Sequence, residues 1–116
     1  MQFGGDLAMA IADLENTLML SRKLDTGFKE NRREAIQQRR DISQKLARVS
    51  AAAQSIPDNS ARSIFMDQFA KMRSALALHH ASWPIVAIDQ SDPDYRQSIQ
   101  AMRATYENFF DWFRHQ

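Results

Sequence analysis

The segment LAMAIADLENTL, residues 7–18, decides the fold, because its large apolar residues recur at intervals of three and four. That spacing places them on one side of an α-helix, and this side has to be covered by another helix. The same heptad frame resumes further along the chain and predicts a second helix of the same kind. The frame consists of Leu7, Ile11, Leu14 and Leu18, and then of Ile42, Leu46, Val49, Ala53 and Ile56.

The first helix is expected to run to about Leu24, with Asp6 as its N-cap residue. It also carries Met9, Met19 and Leu20 outside the frame. Apolar residues spread over so broad a stripe indicate two neighbouring helices rather than one.

The segment Asp25-Thr26-Gly27 leaves two arrangements open. Glycine is unfavourable inside a helix, so a turn here would let helices one and two form an antiparallel hairpin. Alternatively one continuous helix runs through this point and partner chains cover its halves. We favour the break, with the second helix at residues 28–54 and an ion pair between Asp41 and Lys45.

Two prolines mark the helices that follow. The turn around Pro57 introduces a third helix, which has to stop before Pro84. The run 85–88 is too isolated for a sheet and is expected to be extended and to lie against the bundle. The segment 91–94 contains a capping residue, a proline and an acid, and predicts the start of a fourth helix. Apolar or aromatic residues at helical spacing follow in both: Phe65, Phe69, Met72, Leu76, His79 and Trp83, and then Tyr95, Ile99, Met102, Tyr106, Phe109 and Phe113.

These patterns predict an all-α fold, an antiparallel bundle of about four helices. We expect a long N-terminal helical hairpin or coiled coil, followed by two shorter helices. A length of 116 residues predicts one domain, 1–116. No signal peptide or bilayer-spanning apolar run is visible, so a soluble cytoplasmic protein without membrane association is expected.

The sequence contains few of the residue patterns that catalytic sites require. The chain has no cysteine and only three glycines. It therefore cannot build a thiolate site or a phosphate-binding glycine loop. His79 and His80 have no helical metal-ligand spacing around them, so we expect no metal and no cofactor. His79 is expected to be a core residue, while His80 leaves open a histidine phosphotransfer role. A non-enzymatic protein is the favoured interpretation.

The second helix interrupts its apolar frame with Arg32 and Arg39, and Arg33 and Arg40 lie beside them. Polar residues in a helix seam can specify register or partner choice, so we expect these four arginines to contact a protein partner. A second copy of the chain is one such partner, and the acidic group Asp89, Asp92 and Asp94 would complement the arginines within a dimer. One alternative is a nucleic-acid-binding helix that uses the basic stretch Arg32–Arg48, and another is a solvated helix face without a partner.

Aromatic residues crowd the end of the fourth helix. Phe110 and Trp112 are candidates for an apolar contact, because large aromatic residues often anchor interfaces. The alternative is that they pack within their own bundle. Together these features predict a protein–protein interaction module, an adaptor, regulator or chaperone-like bundle that forms a homodimer.

Overall fold

The structure is a computed structural model that describes residues 3–22 and 32–116. Four helices are present, and no strand occurs in those two ranges. The predicted all-α, bundle-like fold is confirmed. The helices are α1 (Gly5–Ser21), α2 (Arg32–Ala53), α3 (Asn59–Ser82) and α4 (Pro93–Arg114).

The chain forms two compact units. The first contains residues up to Met66 together with Gln116, and the second is Asp67–His115. The boundary falls inside α3, which contributes its first two turns to the first unit. The single domain 1–116 stays a prediction. None of the helices in the described part combines the length and the apolar character needed to cross a bilayer.

The first unit contains the antiparallel pair α1 and α2. Leu7 and Ala52 line one cavity, and Asp13 binds Lys45, so the start of α1 lies beside the end of α2. This packing shows that the continuous-helix alternative is wrong, although the expected turn at 25–27 lies outside the described residues. The frame supplies most of the core: Leu7, Ile11, Leu14, Leu18, Ile42, Val49, Ala53 and Ile56 are buried, while Leu46 is half-buried.

The second unit contains α4 and the larger part of α3, again antiparallel. The ring centroids of Phe69 and Phe109 are 5.7 Å apart, and those of Trp83 and Tyr95 are 5.3 Å apart. Because early residues of α3 meet late residues of α4, the two helices run in opposite directions. The predicted stripes supply the core: Phe69, Met72, Leu76, His79, Tyr95, Ile99, Met102, Tyr106, Phe109 and Phe113 are buried.

The helix starts confirm one predicted cap and correct another. The Asp92 carboxylate accepts a hydrogen bond of 2.8 Å from the Asp94 backbone N–H, with Pro93 as the first helical residue, as expected. In α1 the N-cap is Gly4, not Asp6, and no side chain caps the helix. Gly4 has a φ of 74°, a conformation that glycine adopts easily, and Asp6 instead lies within the first turn.

Two local expectations are wrong. The run 85–88 is not extended: Ile85–Ala87 is a 3-10 helix, in which Val86 is 76% exposed while Ile85 is half-buried. The Pro84 carbonyl accepts a hydrogen bond of 2.8 Å from the Ala87 N–H, so this turn satisfies its backbone locally. Nor are the last two helices the shorter ones. Within the described residues α3 is the longest helix, with 24 residues; Asp58 accepts hydrogen bonds at its start, and no proline interrupts it before Pro84.

Candidate interaction surfaces

An exposed isoleucine lies in the middle of the basic half of α2. Ile36 is 39% exposed, and the arginines occupy the positions three and four residues before and after it. Residues at these spacings are neighbours on a helix surface, so the side chains surround Ile36. We call this group the arginine patch: Arg32, Arg33, Ile36, Arg39 and Arg40.

The patch carries positive charge that the described chain does not neutralise. Arg32, Arg33 and Arg40 are exposed, and no ion pair joins them to another residue within 3–22 or 32–116. Arg39 is half-buried and already makes an interaction inside the chain. The exposed rim of the patch therefore consists of three guanidinium groups around an apolar side chain.

Further along α2 the basic residues are paired. The Lys45 ammonium lies 2.7 Å from the Asp13 carboxylate, and Arg48 reaches the same oxygen at 3.1 Å. The expected pair between Asp41 and Lys45 is thus replaced: Asp41 accepts a hydrogen bond from Gln37 instead. Since Asp13 pairs with Lys45 and Arg48, the unpaired positive charge of the stretch Arg32–Arg48 is concentrated in its first half.

The hydrogen bond from Lys45 holds the pKa of Asp13 below its ordinary value of 3.8. Desolvation opposes this hydrogen bond, and the charges of Lys45 and Arg48 add to its effect. This carboxylate is therefore ionised at neutral pH, so it binds both cations with a full negative charge.

The outer face of α1 is apolar although it faces solvent. Met9, Met19 and Leu20 are 65%, 48% and 49% exposed, and Ala12 and Asn16 lie between them at helical spacing. Among the described residues, Asp13 and Glu15 lie at the edges of this face. The sequence predicted two neighbours for α1: α2 covers one side, and this side remains exposed.

The two aromatic candidates lie in different surroundings. Phe110 is 2% exposed, and its ring centroid is 5.4 Å from that of Phe109, so it belongs to the core. A partner cannot reach the Phe110 ring without opening that core. Trp112 is half-buried, with its ring centroid 6.1 Å from that of Phe109. A contact role for these two residues stays a prediction, and only Trp112 presents part of its ring to solvent.

A groove in the second unit was not anticipated from the sequence. It has a volume of about 440 Å³ and runs between α3 and α4. Small residues at intervals of three and four, Ser98, Ala101 and Thr105, leave space between the helices. This spacing is the sequence signal from which the groove could have been predicted. Leu78, 70% exposed, forms one side, and Asp94 lies at the end where α4 begins. Its floor and walls include Ala75, Ser98, Ala101, Met102 and Thr105.

The two histidines differ as expected. His79 is 5% exposed, and its Nδ1 lies 2.7 Å from the Ser98 hydroxyl. It is a core residue with a satisfied nitrogen, as predicted. His80 is half-buried beside it, with ring centroids 6.0 Å apart, and phosphotransfer at His80 stays a prediction. Within 3–22 and 32–116 no three His, Asp or Glu side chains converge as a metal site would require.

Comparison with known proteins gives no family. No protein-family model, no curated protein and no solved structure matches this chain. The arginine patch, the outer face of α1 and the groove are therefore the features from which a function can be argued.

Proposed function

We propose that this protein is a non-enzymatic protein–protein interaction module and that the arginine patch binds its partner. The observation that carries the proposal is the exposure of Ile36 within a ring of guanidinium groups. Interface hot spots commonly combine an apolar anchor with arginines around it, and the polar rim keeps water away from the anchor. The complementary partner surface is an apolar pocket edged by carboxylates.

The same patch argues for protein rather than nucleic acid. A phosphate backbone would pair with the arginines but would leave Ile36 against a charged, hydrated surface, where its burial gains little. Lys45 and Arg48, which would extend a phosphate track along α2, are already bound to Asp13. An acidic protein surface with an apolar pocket can pair with the guanidinium groups and also bury Ile36.

Crosslinking from within the patch tests the proposal. A photoreactive phenylalanine analogue replaces Ile36 in the full chain, which is then irradiated in its native cells. The matched control carries the analogue at Ile64, an isoleucine of α3 that is 53% exposed. We expect a protein adduct from position 36 and not from position 64. Adding Arg33→Glu and Arg40→Glu should remove that adduct, because the new carboxylates repel an acidic partner.

Two results would overturn the proposal. One is an adduct to nucleic acid, supported by binding to random-sequence duplex that weakens steeply with salt. The other is an equal set of adducts from positions 36 and 64, which would show that the patch has no partner of its own.

A further inference from the structure

We infer that the partner of the arginine patch is a second copy of this chain, and that Ile36 of one copy enters the α3–α4 groove of the other. This inference rests on the proposed function and names the occupant. The groove offers what the patch requires, an apolar recess with the Asp94 carboxylate at its edge.

The apolar match is between one protruding side chain and one recess. Ile36 projects from a helix surface whose neighbouring positions are long arginines. The groove has small residues in its walls, Ala75 and Ala101, and larger apolar side chains in Leu78 and Met102. Leu78 is 70% exposed in one copy, and it would lose water contact when Ile36 enters.

The charge match is between groups that one copy leaves unpaired. Arg32, Arg33 and Arg40 have no ion-pair partner in the described residues, and neither has the Asp94 carboxylate. Asp94 uses its backbone N–H to bind Asp92, so its side chain stays available at the end of the groove. No lysine or arginine occurs between Arg73 and Arg96, so nothing basic along this stretch repels the incoming arginines.

Sedimentation equilibrium on the purified full chain tests the inference. We expect concentration-dependent self-association that weakens as salt is raised, because the contact contains exposed charges. Ile36→Ser should weaken association about tenfold, the loss typical of a modest interface anchor. The control Ile64→Ser, on an isoleucine of comparable exposure, should leave it unchanged. Both positions are exposed, so circular dichroism should show an intact fold.

A charge exchange between copies tests the pairing itself. Arg40→Glu alone and Asp94→Arg alone should each associate at least tenfold more weakly than the unaltered chain. A mixture of the two variants should recover association, because each altered surface then meets its opposite charge. Arg96→Glu, an exposed arginine of α4, serves as the charge-matched control and should neither weaken association nor rescue Asp94→Arg.

Failure of this inference is separable from failure of the proposed function. A strictly monomeric chain at high concentration, or a mixture that does not recover association, would overturn self-association through the groove. If position 36 still crosslinks specifically to another protein, the interaction role stands and the occupant is that protein. If position 36 has no specific protein adduct, the proposed function fails as well.

Discussion

The Asp13 carboxylate and the Lys45 ammonium lie 2.7 Å apart, although 32 residues separate them in the sequence. Arg48 donates a second hydrogen bond to the same carboxylate oxygen at 3.1 Å. Three charged groups thus fix the relative position of α1 and α2 at the edge of their apolar contact. The same contact pairs two cations of α2, and the Arg48 side chain stays 54% exposed within it.

The lowered pKa of Asp13 predicts a pH-dependent contribution to stability. The folded chain binds a proton at Asp13 less readily than the unfolded chain does. The ion pair therefore contributes fully to the free energy of unfolding above the pKa that Asp13 has in the unfolded chain. This contribution is lost as the pH falls through the pKa that Asp13 has in the folded chain. We expect Asp13→Asn to destabilise the chain at neutral pH, and the difference from the unaltered chain to shrink as the pH falls below the ordinary titration range of aspartate. Urea denaturation across this range measures it; a difference that is constant with pH would contradict the assigned ion pair.

Removing the N-cap of α4 should lower the free energy of unfolding by a predictable amount. Asp92→Ala removes the acceptor of the Asp94 N–H and should lower the free energy of unfolding by about 1 kcal/mol. Asp92→Ser restores a capping oxygen and should recover most of that loss. Urea titrations followed by circular dichroism compare the three chains. Equal stability of the alanine and serine variants would show that the cap contributes nothing.

Truncating an aromatic residue in the core of the second unit should destabilise the chain more than removing the cap of α4. Phe69 is 0% exposed and contacts Phe109, so Phe69→Ala should destabilise the chain by about 3–5 kcal/mol, through lost burial and the cavity that remains. Val86→Ala, at a side chain that is 76% exposed, should change stability by less than about 0.5 kcal/mol. Thermal unfolding gives the order of the two variants, and a reversed order would place Phe69 outside the core.

The hydrogen bond between His79 and Ser98 predicts a moderate effect. Ser98→Ala leaves a buried ring nitrogen without its partner and should cost about 1–3 kcal/mol. Ser98→Thr keeps the hydroxyl and should cost less. Chemical denaturation at a fixed pH above the histidine range measures both, and a fully stable alanine variant would show that His79 does not depend on this serine.

The helices were predictable because their signals are local. Intervals of three and four among Phe65, Phe69 and Met72 are a property of the sequence, and so is the start signal before α4 at Pro93. The turn at Ile85–Ala87 was not predictable in the same way. Three apolar residues after a proline fit either an extended or a helical backbone, and in the structure two backbone hydrogen bonds, from Ala87 and Ile88, close the helical turn.

Some residues of the candidate surfaces could be named from the sequence, and others only from the packing. The four arginines were predicted, and Ile36 could have been singled out with them, since its position between the two pairs is sequence information. The groove depends on how α3 and α4 approach each other around Ala75 and Ala101, which no single segment encodes. Phe110 was a candidate by composition, but in the structure it is buried, with its ring beside those of Tyr106 and Phe109.

The positions of the helices and the side of each one that avoids water can be read from the chain, because both follow from the 3.6-residue period of a single helix. Which basic side chains are paired depends instead on how the helices pack together. Lys45 and Arg48 look equivalent to Arg33 and Arg40 along the chain, yet the first two meet Asp13 across the hairpin and the others do not. Pairing of that kind depends on distances between helices, and the spacing within one helix does not contain them.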